Sequence, residues 1–242
     1  MRTPANHRPV TFIHPDDLTD REHAAVPQLW LDAVAVGGRD GVGLMIDEWE
    51  RVLPGRLPKV TTRFRAASTD LFLGRQLGVP VLIYLLAGHF GDRAYCPWLG
   101  TPPVPIGDVP QHLRLLPKDV LAFHTRLHDE LDSPLMGGML PIAFMDLVST
   151  YHDPSWPFEM FNSAWSSPPI AAPAEQPDWS QVVLIHNNGG SGRVCAVLGE
   201  DPDNTEGWYW FEGSMSRERD IWTIMDAFLE HGATDWYDDK DD

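Results

Sequence analysis

The chain has 242 residues, with 35 acidic and 18 basic side chains and a formal net charge of −17. That length holds one large domain or two small ones, and ten Trp residues are incompatible with a disordered chain. The carboxylate excess argues against sequence-independent grip on nucleic acid or on anionic lipid, because phosphates would be repelled.

Two cysteines, Cys96 and Cys195, are too few for a disulfide scaffold or an all-cysteine zinc site. The opening stretch MRTPANHRPVTF lacks the apolar core of a signal peptide. The longest apolar run, VPVLIYLLA over 79–87, falls far short of the ~18 residues a membrane span needs. A soluble, cytoplasmic protein is expected.

The charge is uneven. Residues 1–105 hold 11 acidic and 11 basic side chains, residues 106–199 hold 10 and 4, and residues 200–242 hold 14 and 3. All of the excess therefore follows residue 105. It reads either as a solvated, solubilising surface or as a face for a basic partner, which would speed association and discriminate against wrong partners.

In chain order, the first ~25 residues read as an irregular lead-in broken by Pro4, Pro9, Pro15 and Pro27. QLWLDAVAV over 28–36 predicts a helix closed by Gly37 and Gly38. Residues 42–53 predict another, with Leu44, Met45, Glu48, Trp49, Val52 and Leu53 at helical spacing. Residues 56–65 carry Arg56, Lys59, Arg63 and Arg65 and read as a basic loop that pairs with nearby acids rather than a phosphate site. Thr69 and Asp70 are candidate caps for a helix over 71–77, and 79–87 reads as a buried strand or a core helix. Six prolines over 97–117 predict a linker or extended crossing. Pro117 then suits the first turn of a helix over 118–131.

A short segment over 140–148 and a long Pro- and Trp-rich surface loop over 152–180 follow. Residues 181–186 (QVVLIH) and 193–198 (RVCAVL) predict two strands around the turn NNGGSG. A second turn, DPDNTEG over 201–207, leads to a third strand, WYWF over 208–211. The three make a C-terminal β-meander. A helix is predicted over 219–231, with Ile221, Ile224, Met225, Phe228 and Leu229 on one face and Gly232 at its end. An acidic tail over 233–242 closes the chain.

Candidate chemistry is sparse. His124 and His128 stand four apart on a predicted helix, a spacing that can present two imidazoles to one metal. Thr125 occupies the position where the zinc-protease pattern places Glu, so core histidines are the expected reading. NNGGSG leads into a strand through Arg193 rather than into a helix through Gly-Lys-Ser, so it is a hairpin turn and not a phosphate loop. Cys195 reads as an inert core thiol. The alternating rings of Trp208, Tyr209, Trp210 and Phe211 read as a two-sided buried strand, or as one with a face open to a partner.

LPKDVLAFHTRLHD over 116–129, the hairpin over 184–198, the aromatic strand over 208–211 and IWTIMDAFL over 221–229 together resemble the SUKH superfamily. It includes a fungal cell-wall-synthesis regulator and many bacterial immunity proteins. Glu130 departs from the family's usual Gly. The resemblance covers roughly 110–232. It implies an α+β fold with a mixed, largely antiparallel sheet flanked by helices, without enzymatic activity or cofactor, over 106–232. Residues 1–105 form a mostly helical N-terminal portion, either separate or part of the same fold.

The resemblance also implies a protein that neutralises the toxin domain of a bacterial polymorphic toxin system, often a basic nuclease or deaminase, by charge mimicry. Asp201, Asp203, Glu206, Glu212, Asp238 and Asp239 are the expected electrostatic contacts, and Trp208, Trp210 and Trp236 the expected anchors. The alternatives are a regulatory or scaffold protein of the same fold without a toxin partner, and a metal-dependent hydrolase built on His124 and His128.

Overall fold

The computed structural model describes residues 9–90, 93–133, 137–145, 147, 178–188, 192–211 and 214–234. Among the described residues four helices separate the first strand from the second, α1 (Asp20–Ala25), α2 (Gln28–Val36), α3 (Gly38–Val52) and α4 (Pro58–Ala67), and α5 (Lys118–Ala122) follows the proline-rich crossing. A sixth, α6 (Ile221–Gly232), closes the described chain. The strands are β1 (Val10–Phe12), β2 (Ser68–Gln76), β3 (Val79–Phe90), β4 (Arg93–Gly100), β5 (Leu131–Ser133), β6 (Gly137–Met139), β7 (Val182–Asn187), β8 (Arg193–Val197), β9 (Gly207–Phe211) and β10 (Ser214–Glu218).

All ten strands lie in one sheet, in sequence order from β1 to β10. Every described pairing is antiparallel, which makes the class α+β and corrects the expectation of a mixed sheet. Four strands, β1 to β4, and four helices, α1 to α4, fall within the first 105 residues. The same core cluster unites Trp30, Trp49, Phe64 and Leu82 with Phe123, Ile185, Val194, Trp222 and Leu229.

The two faces of the sheet separate by strict alternation. Leu71 and Leu73 of β2, Leu82, Tyr84 and Leu86 of β3, and Trp98 of β4 join the cluster that holds the helices. Phe72, Val81, Ile83 and Leu99 point the other way, into a second cluster. Val182, Leu184, Cys195 and Trp208 form a third.

Several elements differ from the sequence reading, each for a tertiary reason. The basic stretch over 56–65 is mostly helix α4, with Val60 and Phe64 on its buried side. Its cations are spread outward: Arg56 pairs with Asp119 at 2.7 Å, and Arg65 with Asp47 and Glu50. The helix predicted over 71–77 is strand β2. Asp70 caps a different helix instead, accepting from the Gly38 N–H at the start of α3 at 2.7 Å and from the Leu71 N–H at 2.8 Å.

The proline-rich stretch begins inside β4, where Pro97 sits opposite Leu85. Strand β5 pairs with β4 only at Leu99 and Gly100, so the missing proline N–H falls outside the two-sided ladder. The helix predicted to run to 131 ends early. After α5 a single π-helical turn, Phe123–Leu127, leads to His128 in extended conformation. β10 has no counterpart in the sequence reading.

Leu77 and Gly78 form the two-residue turn between β2 and β3, with φ of 53° and 81°. Such turns need left-handed backbone at both positions, which Gly accepts and Leu adopts at a cost of ~1 kcal/mol.

Tertiary caps tie the two ends of the chain together. α4 has no side-chain cap of its own. The buried Asp226 of α6 supplies one, accepting from the Lys59 N–H at 3.1 Å and the Val60 N–H at 2.9 Å. Arg63 donates to the Ala233 carbonyl at 2.7 Å beside it. Burial raises the Asp226 carboxyl above its ordinary range against the pull of these N–H groups.

Candidate functional site

Three of the expected electrostatic residues, Asp201, Asp203 and Glu206, lie on the connection from β8 to β9. Asp201 and Asp203 are exposed there. Asp201 accepts from the Asp203 N–H at 3.0 Å, which closes the turn around Pro202. The Pro202 carbonyl accepts from the Lys118 N–H at 2.8 Å, seating the turn on the start of α5. Lys118 pairs with Asp203, and that contact raises its ammonium above the usual lysine value. Glu206 pairs with Arg217 of β10.

Two residues that the sequence reading passed over extend this patch. Arg56 bridges Asp119 and Asp220 at 2.7 and 3.7 Å. The patch is therefore a lattice of acids and interleaved cations, not bare negative charge. Exposed pairs of this kind contribute little stability, but they orient carboxylates for a charged partner.

The aromatic expectations divide. Trp208 is 3% exposed and packs against Val182, Leu184 and Cys195, so its ring belongs to the interior and is corrected as a surface anchor. The reason is register: Trp208 lies opposite Cys195, on the same side of the sheet as Leu184. Trp210 lies in β9 opposite Arg193, and its side chain is outside the described set. Glu212, Trp236, Asp238 and Asp239 also lie outside the described residues, as do the rest of the acidic tail from 235 and most of the loop predicted over 152–180.

Both candidate metal histidines are fully buried. His124 donates through Nδ1 to the Asp129 carbonyl at 2.7 Å. His128 meets the Tyr84 hydroxyl through Nε2 at 2.9 Å. Trp30, Trp49, Tyr84 and Phe123 pack around its ring, with centroids 5.1 to 6.2 Å away. A Cβ at Gly100 would fall 2.2 Å from His128 Nδ1, so only glycine lets the strand pass this close. Burial holds the His128 imidazole neutral, down to about 3.

His186 is held near the same value by burial, then by Arg193, and stacks on Phe228 at 5.3 Å. Burial pushes the Cys195 thiol up to about 12, which removes its nucleophilic form near neutrality. No group of three or more His, Cys, Asp or Glu side chains with metal-holding geometry occurs among the described residues.

One perturbed carboxyl lies elsewhere. Asp132 of β5 stands opposite Leu99 and Gly138, on the side of the sheet away from the helices. Burial, then the nearby Glu130, raise it to about 7. The sequence signal for it was slight, since an acid in a three-residue strand has no local mark.

Among the described residues no helix is long and apolar enough to cross a membrane. No family model, no curated protein and no solved structure matches this chain.

Proposed function

We propose that the chain is a non-enzymatic, cytoplasmic binding protein of the immunity type, which neutralises a basic toxin domain by stoichiometric association. The observation that carries the reading is the placement of charge: all of the net −17 follows residue 105, and Asp201 and Asp203 stand exposed on one docked turn. A nuclease or deaminase presents a basic cleft to phosphate, and a rigid acidic turn can fill such a cleft in place of the substrate. The fold reading that accompanies it is a SUKH-type domain with a C-terminal β-meander and flanking helices, supported by the motifs over 116–129 and 221–229. The burial of His124 and His128 in aromatic packing weighs against the hydrolase reading.

The test is co-purification with the product of the neighbouring open reading frame, at low and at high salt. A one-to-one complex that weakens with salt is expected, and the pair Asp201→Lys and Asp203→Lys should slow its association. Absence of a stable partner, or association indifferent to salt, overturns the reading.

A further inference from the structure

Beside the acidic turn runs a groove of about 360 Å³, lined chiefly by His112, Leu115, Leu147, Gln181, Leu198 and Glu200. Its walls are stitched by backbone hydrogen bonds: Gly199 N–H to the Leu115 carbonyl at 3.1 Å, and Leu198 N–H to the Gln181 carbonyl at 2.7 Å. The cleft is thus preformed. Leu198 is buried, while Leu115 is 46% exposed, an aliphatic surface left to water at the lip.

The lining carries acidic charge: Glu200 is part of it, exposed Asp201 follows in sequence, and Asp178 accepts from Ser180, another lining residue. Hydrogen bonds from Ser180 hold the Asp178 carboxyl below its ordinary value, so it is ionised near neutrality. The described cations nearby are committed: Lys118 to Asp203, and Arg114 to the Val109 and Gly107 carbonyls, both at 3.0 Å.

We propose that this groove receives one aliphatic or aromatic side chain of the protein partner, flanked in sequence by Lys or Arg residues that meet Glu200, Asp201 and Asp178. The inference rests on the partner-binding reading above and deepens it. Charge complementarity selects the occupant. A neutral or acidic segment entering the groove would desolvate the rim carboxylates without compensation, whereas a basic flank pairs them. The volume lies at the small end of the ~300–1,000 Å³ range of binding clefts, which suits a single anchoring side chain.

The probe is the peptide acetyl-Lys-Lys-Leu-Phe-Lys-Lys-amide, titrated into the full chain beside a control with Ser-Ser in place of Leu-Phe. The apolar peptide should bind about tenfold more tightly than the control, as expected for one buried anchor. Leu115→Glu should abolish that preference, and Glu200→Lys with Asp201→Lys should weaken both peptides. An unchanged melting temperature in each variant verifies that the fold is intact, since these side chains are exposed.

Equal affinity for the two peptides overturns the proposal, as does a preference that survives Leu115→Glu. A dimer in sedimentation that Leu115→Glu dissolves also overturns it, by giving the groove to a second copy of this chain. Partner capture that is indifferent to Leu115→Glu removes the groove and leaves the proposed function standing. A peptide preference without any captured partner supports the groove and removes the toxin reading.

Discussion

Asp226 offers the sharpest test of how this chain is held together. Replacing it with Ala removes the acceptor of two backbone N–H groups, those of Lys59 and Val60, at the start of a helix with no cap of its own. Loss of an ordinary N-cap costs ~1–2 kcal/mol. Here Asp226 is only 4% exposed, so water replaces it poorly, and the cost rises from that figure towards ~1–3 kcal/mol for each of the two orphaned N–H groups. Relief of the carboxylate's own desolvation offsets part of that. The expected net loss is about 3 kcal/mol, or a fall in melting temperature of roughly 6–12 °C for a chain of this size.

Asp226→Asn keeps one oxygen acceptor, and should lose about half as much. The assay is urea unfolding, with the midpoint lowered and the slope unchanged. An Ala variant within ~0.5 kcal/mol of the parent, the ordinary range for a surface substitution, would refute the argument.

Four other outcomes follow from named contacts. His186 is held neutral in the fold, near 3, against ~6.5 in an unfolded chain, so stability falls as pH drops below about 6.5, by about 2 kcal/mol at pH 5. His186→Phe should remove that share of the acid limb and leave the equal share of buried His128, and parallel curves for the two proteins would count against it. Asp132 has the opposite sign: raised to about 7 in the fold, it costs stability as pH rises from ~4 towards 7. Asp132→Asn should therefore gain about 2 kcal/mol at pH 7.5, after allowance for solvent screening, and nothing at pH 4. Gly100→Ala should cost about 2 kcal/mol in chemical denaturation, because the methyl displaces the His128 ring. Leu77→Asn should stabilise by up to ~1 kcal/mol, since Asn tolerates left-handed backbone and the exposed leucine side chain loses nothing; a destabilised variant would show that the leucine makes a contact of value.

How far the sequence carried the site depends on distance along the chain. The turn from 201 to 206 was legible, because Asp-Pro-Asp-Asn is local chemistry and its carboxylates had nowhere to go but outward. The fate of Trp208 was not. Its burial follows from standing opposite Cys195, a register that no property of the strand over 208–211 contains. The pair His124 and His128 looked like a metal spacing on a helix. The helix ends in a π-helical turn instead, and Gly100 passes close enough for the His128 ring to enter the aromatic core.

By itself the sequence determined the helix over 28–36, the apolar face of α6, the hairpin of β7 and β8, and the imbalance of charge about residue 105. Each is written in periodicity, turn residues or composition over a few neighbouring positions. Only the tertiary structure decided that 58–65 is helical, that 71–76 is extended, and that the first 105 residues share a sheet and a core with later ones. The reason is that the deciding contacts are remote. Asp70 caps α3 rather than its own segment, and Asp226 caps α4 from the other end of the chain. Acids that look like surface charge in the sequence become, in the fold, the acceptors that two helices lack.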